Sequence, residues 1–595
     1  MRKNKSGEEK SIYSIIFDTY RIFMTNITSK WIVMVALSLI PALVSPFKIY
    51  LEKSIYDNAA VAYGQGILPE KTTRIFAIAF LVQIIYIAGY SVYRSSINYI
   101  GSELEIILQN NINRKTSKLN LTDFEDSTLY KNIELACNVS RDLRFMIMMF
   151  TSEIFVYLIT FLSVSGVLLS YHYSLILIGI LAVLPDVFTK IIQAKYQYAA
   201  LSKLQEYTRS KTYFENVLCA LEFNKEIRAY HTKKYFTIKW DSKKELYNHE
   251  KEKVIGKDCK TNLICGAVSW MTAMVSVIMP VLLLYFGEIS IGEFASSLSA
   301  VILLKSNFLR ILNLGLFSFQ CGLKGKHYYS VMDYMERNGE EKDVDPSEGI
   351  ELEQVSFSYA AGKNVVRDMS VKLKPHQTVA VVGKNGAGKS TLSKLLLGLY
   401  SPASGRVLYG DKDIRNIEEE CIYRHSSAVF QNFCKYYFTV RDNVTISSCT
   451  EQVDDEKIEK LLTNLEIKIG GEPIRENQLE TGLGVEFDGQ ELSGGNWQKL
   501  AIARGMYRPH RFIVFDEPTA TLDPLIEEKI FTEMINNNRD NMKVFITHRM
   551  STAASADVII VIENGKIAEV GAHKELISKD GLYAELWKTQ AEWYR

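Results

Sequence analysis

Cysteine is scarce and scattered. The eight in the chain form no Cys-x-x-Cys pair and no Cys/His cluster at metal-ligand spacing. This excludes a zinc module and a disulfide scaffold, and it reads as reduced thiols used for packing. Net charge is nearly absent too: 69 Lys and Arg stand against 68 Asp and Glu, a formal +1. No global polyanion partner is implied, and nucleic acid is excluded on that ground. The basic N-terminus, MRKNKSGEEKSIYSIIFDTYRIFMTNITSK, lacks a compact apolar core followed by a small-residue cleavage site. It is therefore not expected to be a cleavable signal peptide.

What the chain does have is a division. At 595 residues it is too long for one core. An ordinary average of 47% hydrophobic and 23% charged residues hides an uneven distribution. Nearly all long apolar runs fall before about residue 320, and beyond it short apolar strands alternate with polar helices. Six segments are long and apolar enough to span about 30 Å of hydrocarbon: roughly 31–51, 74–100, 145–169, 173–195, 260–285 and 291–317. Ahead of them, Ile12, Ile15, Ile16 and Phe23 space as a short amphipathic helix expected at the inner membrane surface.

Loop lengths orient the spans. Spans three and four join near Tyr171–Tyr173, and spans five and six near Gly287–Gly292. The other connections, over 100–145 and 195–260, are long, helix-forming and basic, as in Arg114-Lys-Thr-Ser-Lys118 and Lys225-Glu-Ile-Arg228. That bias places them, with the N-terminus, in the cytosol as long helical hairpins. Within the spans, Asp186 and Lys190 share a helix face at the favourable four-residue spacing. Lys305 and Arg310 lie about 24 and 31 Å along span six from Ile289. Asp186, Lys305 and Arg310 are the candidates for lining a cavity, against the plainer reading of pairing and snorkelling.

The soluble half begins after a polar stretch, Glu336–Gly349. The boundaries read as an interfacial helix over 1–30, a membrane domain over 31–330, a linker over 331–349 and a soluble domain over 350–595. Strand-like Val379–Val382 runs into Gly383-Lys384-Asn385-Gly386-Ala387-Gly388-Lys389-Ser390-Thr391 and then into an apolar helix pattern. Strand, glycine-rich loop and helix in that order make a nucleotide site, because the loop N–H groups and the helix N-terminus meet phosphate. Lys389 is placed for the β and γ phosphates of ATP and Ser390 for Mg²⁺. A second strand, Arg511–Glu517, ends in two carboxylates. Asp516 is the candidate for holding Mg²⁺, and Glu517 is the candidate general base. A third strand, Val544–Thr547, delivers His548 to the same edge. Leu492-Ser-Gly-Gly-Asn496 opens a helix, so Ser493, Gly494 and Gly495 form a second anion-binding helix end. Two such ends on one chain suggest a nucleotide clamped between two copies.

With these residues in view, the chain resembles ATP-binding cassette transporters of the exporter type, half-transporters with membrane and ATPase domains fused. The resemblance implies an all-α six-helix transmembrane domain with long cytosolic helical hairpins, followed by an α/β P-loop nucleotide-binding domain. It further implies an adenine platform at Tyr359, a Gln sensing Mg²⁺ and water at Gln431, and a dimer-crossing loop ending at Asp523. Coupling segments around Phe124–Tyr130 and Tyr213–Ala220 would press on the ATPase near Gln431. Two positions depart from the pattern: Asn496 stands where Gln is usual, and Gly482 where a glutamate usually precedes the Leu483-Gly484 pair. The stretch Phe430–Val444 looks like exporters of lantibiotics and other modified peptides. That likeness implies a homodimer in a bacterial plasma membrane, surrounded by lipid, with cytosolic termini and a peptide cargo that still carries its leader or is already trimmed. No leader-cleaving protease domain is expected ahead of the first span. The alternatives are a multidrug or lipid exporter and an ATP-gated channel or sensor.

Overall fold

The computed structural model describes residues 11–592 apart from 66–69, 338, 360–361, 363, 449–451, 474–477, 520–521, 523 and 537–539. Two compact units emerge. One comprises the chain up to Thr116 and Asn132–Asp333; the other comprises Ser117–Lys131 and Tyr334–Arg595.

The first unit is helical: α1 (Ile12–Gln65), α2 (Glu70–Thr116), α3 (Ser127–Tyr171), α4 (Tyr173–Leu181), α5 (Leu184–Cys219), α6 (Leu221–Ala229), α7 (Lys233–Tyr285) and α8 (Ile291–Met332). Among the described residues, six stretches are long and apolar enough to cross a bilayer, and they contain the six expected spans. Large apolar side chains stand exposed along them, among them Phe80, Leu81, Trp270 and Met271. Water penalises such a surface and hydrocarbon does not. The expected interfacial helix is present, joined to the first span at Ile27, whose backbone is non-helical. Its apolar face is not left for lipid, however. Ile15 and Phe23 are fully buried, a Cβ on Gly322 or Gly325 of α8 would strike Ile12 or Ile15, and Thr19 Oγ1 meets Tyr329 Oη at 3.0 Å. Span four is also not one helix. α4 gives way to α5 at Ala182–Val183, and Pro185 occupies the first turn of α5, where its missing N–H is tolerated.

The second unit contains β1 (Ile350–Ser358), β2 (Asn364–Leu373), β3 (Thr378–Gly383), α9 (Lys389–Leu396), β4 (Ser404–Tyr409), β5 (Lys412–Asp413), α10 (Glu419–Tyr423), β6 (Ser426–Val429), α11 (Val440–Thr445), α12 (Asp455–Asn464), β7 (Lys468–Ile469), β8 (Glu472–Pro473), α13 (Gly494–Tyr507), β9 (Phe512–Asp516), α14 (Pro524–Asn536), β10 (Met542–Ile546), α15 (Met550–Ala554), β11 (Val558–Glu563), β12 (Lys566–Gly571), α16 (His573–Ser578) and α17 (Leu582–Glu592). Six strands form one sheet in the order β12-β11-β3-β10-β9-β6, and an antiparallel sheet runs β2-β1-β4-β5. In the larger sheet, β11, β3, β10, β9 and β6 are mutually parallel. Their near-continuous apolar sequences follow from helices covering both faces: every residue of β9 and β10 is buried. The register sets Val381 beside Ile546 and Ile546 beside Asp516. The carboxyl ends of β3, β9 and β10 therefore finish level, at the sheet edge where open α/β folds place ligands.

Candidate active site

Three turns leave that edge together. After β3 the loop Gly383–Gly388 wraps into α9. Gly383 has φ 153°, and a Cβ there would lie 2.3 Å from the Ile562 carbonyl; Gly388, at φ 105°, would meet the Val365 carbonyl at 3.0 Å. Only glycine fits these two positions. Lys384, Asn385 and Gly386 are exposed at the crest, whereas Ala387, Gly388, Lys389 and Thr391 are buried beneath it. Lys389 Nζ donates to the carbonyls of Gly383 at 2.9 Å and Lys384 at 3.2 Å. Burial pulls its pKa down, and the Glu517 and Asp516 carboxylates pull the other way. Ser390 Oγ donates to Asp516 Oδ1 at 3.2 Å. Burial raises the Asp516 pKa, and the Ser390 bond opposes the rise.

One residue on, Glu517 adopts φ 48°, a left-handed conformation that a long side chain occupies only when its surroundings impose it. One carboxylate oxygen accepts from Gln431 Nε2 at 2.7 Å, and the other is in direct contact with His548 Nε2. Two residues on separate turns, Gln431 and His548, each singled out from the sequence, thus converge on the Glu517 carboxylate. Tyr359 also lies at this loop: its hydroxyl meets Thr391 Oγ1 at 2.9 Å, and its ring stands edge-on to Phe357 at 5.2 Å and to Tyr400 at 6.0 Å.

Ser493, Gly494 and Gly495 are placed elsewhere. Ser493 caps α13 by accepting from the Asn496 N–H at 3.3 Å, and it and Gly494 are exposed. Among the described residues, this helix end has no hydrogen bond to the P-loop. Asn496 turns away from it: Nδ2 donates to the Lys468 carbonyl at 3.0 Å, and Oδ1 accepts from the Lys468 N–H at 3.4 Å. Asp523 lies outside the described residues.

The coupling expectation needs correction. The tip of the first hairpin, a 3₁₀ turn over Leu121–Glu125, packs with the ATPase unit at Tyr400, not at Gln431. Tyr400 Oη donates to the Glu125 carboxylate, accepts from Lys394 Nζ at 3.0 Å, and its ring stacks on Phe357 at 5.1 Å. Sequence reasoning missed Tyr400 because nothing local marks it; it sits in an unremarkable Leu-Gly-Leu-Tyr-Ser run.

In the membrane unit, Asp186 pairs with Lys305 at 3.0 Å, not with Lys190 as expected from the spacing. Ser269 completes the group, donating to Asp186 at 3.1 Å and accepting from Lys305 at 2.6 Å. Asp186 and Lys190 both lie in α5 and share its face, but Lys305 of α8 reaches the Asp186 carboxylate from across the packed helices and takes the pairing. Arg310 does not snorkel: it donates to Tyr157 Oη at 2.9 Å, and that hydroxyl donates to Glu153 at 3.0 Å.

Residues 366–520 match the family model described as ABC transporter. The subtilin transport ATP-binding protein SpaT of Bacillus subtilis is 26% identical over 96% of this chain and 93% of its own length. The nisin transport ATP-binding protein NisT of Lactococcus lactis subsp. lactis is 26% identical over 94% of this chain and 93% of its own. Among solved structures, a bacterial Atm1-family ABC exporter with ATP bound superposes with a TM-score of 0.78 at 20% identity, covering 96% of this chain and 98% of that one. A domain matching the ABC transporter model, on one chain with six helices of membrane-crossing length among the described residues, is an ATPase coupled to transmembrane transport. Its ATPase is an ABC transporter domain, and the chain has the fold of an ABC exporter.

Proposed function

We propose that this protein exports a ribosomally made, modified peptide across a bacterial plasma membrane, working as a homodimer with both termini in the cytosol. The observation that carries the reading is the extent of similarity to the subtilin and nisin transport proteins. It runs through the membrane half as well as the ATPase, and cargo is selected in the membrane half.

The site supports hydrolysis by residues already in position. Lys389 exchanges its loop carbonyls for the β and γ phosphate oxygens of ATP. Tyr359 offers its ring to adenine. Ser390 Oγ and Asp516 Oδ1, 3.2 Å apart, and the Gln431 side chain are hard oxygen donors that suit Mg²⁺. Held there, Mg²⁺ would supply charge neutralisation to the phosphates. Glu517 takes the proton of the attacking water, and His548 holds the γ-phosphate against it. The exposed helix end at Ser493–Gly495, and Asp523 beyond it, would face the nucleotide of a second copy, which makes each site a shared one.

The test is ATP-dependent uptake into inside-out vesicles. A leader-bearing modified peptide, its trimmed form and an apolar dye are compared, with Glu517→Gln as the control. Uptake of either peptide without the dye is expected, and it also reports whether the leader is read. Uptake of dye alone would make the chain a multidrug or lipid exporter, and continued passive flux in the Glu517→Gln variant would make it a gated channel.

A further inference from the structure

One buried carboxylate has no part in the mechanism above. Glu527, in the first turn of α14, is only 6% exposed, and a carboxylate so enclosed requires partners for both oxygens. Thr519 Oγ1 donates to Oε1 at 2.6 Å, and the Arg549 guanidinium closes on Oε2. Both partners stand beside catalytic groups. Thr519 is two residues past Glu517 on the turn leaving β9, and Arg549 follows His548 on the turn leaving β10. Those turns carry the strained Glu517 backbone, at φ 48°, and the Glu517–His548 contact. A strained conformation persists only where its surroundings over-determine it.

We infer that Glu527 is a positioning residue for hydrolysis: by tying Thr519 and Arg549 to one point on α14, it holds His548 in register with Glu517. Its second partner shows what it adds. The Glu517 N–H is already fixed by the Ile546 carbonyl at 3.0 Å, but that bond does not hold His548, whose own carbonyl accepts from Gln590 Nε2 at 3.1 Å. Arg549 carries His548's backbone, so anchoring its side chain limits where the imidazole can sit. The inference concerns hydrolysis and not the cargo, so it stands whichever solute is carried.

The test is a mutant cycle on ATP hydrolysis by the full-length protein, with Glu527→Gln, His548→Ala and the double variant. Glu527→Gln is expected to lower kcat by roughly tenfold or more, the scale of a small misplacement of catalytic groups, while KM for ATP stays within about twofold. In the His548→Ala background the same change is expected to cost less than about twofold, because the group it positions is already gone. Glu527→Asp, which keeps the charge on a shorter stem, should recover part of the rate. An equal loss in both backgrounds, or a rise in KM at unchanged kcat, would reduce Glu527 to a support of the fold and overturn the inference. Should Glu527→Gln leave Arg549 unpaired and the protein unfolded, the cycle is run on Glu527→Gln/Arg549→Gln, which removes the orphaned charge, with the same two outcomes deciding.

Discussion

Replacing Tyr400 with Phe isolates the bond that docks the first hairpin tip. The ring stack on Phe357 survives, and only the hydroxyl is lost, the donor to Glu125 and the acceptor for Lys394. A hydrogen bond to a charged group contributes about 1.5–3 kcal/mol. Glu125 is exposed to solvent, which sets the low end as the expectation, about 1.5 kcal/mol, or about a tenfold shift from docked to released tip. Amide hydrogen exchange of the full-length protein reads this directly. Amides over 121–130 should exchange about tenfold faster in Tyr400→Phe, while those of Gly383–Thr391 keep their protection. ATP hydrolysis without cargo should persist, and ATP-driven uptake should fall with the docked fraction. Unchanged exchange over 121–130 in a folded variant would refute the reasoning, since the hydroxyl would then contribute nothing to docking.

If Glu517 is the base proposed above, Glu517→Gln, which puts an amide in its place, should cut hydrolysis by about 10²–10⁴-fold while ATP still binds; a residual rate near a tenth of the parent would remove Glu517 from the base role. Asp186→Asn strands the Lys305 ammonium and is expected to lower the stability of the membrane unit by about 3 kcal/mol, whereas the paired change Asp186→Leu/Lys305→Leu should recover most of it in a thermal melt. An unchanged melt for Asp186→Asn alone would contradict the ion pair. Asn496→Gln lengthens the side chain past its two bonds to the Lys468 backbone, so the ATPase unit should lose about 1 kcal/mol with kcat within about twofold. A large fall in kcat would show that the amide acts on nucleotide.

What was legible in the sequence was whatever is written in consecutive residues. Gly383–Thr391, Asp516-Glu517 and the strand leading to His548 each carry their strand, turn and chemistry in one stretch, and parallel registration brings them to one edge. The spans were legible because a bilayer demands unbroken apolar length. What remained hidden was set by packing across the chain. Spacing within α5 favoured Lys190 for Asp186, but the packing of α8 brought Lys305 to it instead. Amphipathicity suggested a lipid-facing segment at Ile12–Phe23, but α8 offered Gly322 and Gly325 as a closer surface. Tyr400 and Glu527 carry no motif, and their roles exist only once remote turns meet.

The docking of Glu125 on Tyr400 spans 275 residues of chain, and this has a bearing on biogenesis. Leu121–Glu125 leaves the ribosome long before its seat is made. At about 5–20 residues per second, Tyr400 follows the tip by roughly 14–55 s. During that interval four of the six spans are still to be synthesised, and the tip, with exposed Leu121, waits without its partner surface. A chain truncated before Tyr400 never seats it, so early termination products should be the ones that chaperones and proteases recognise first.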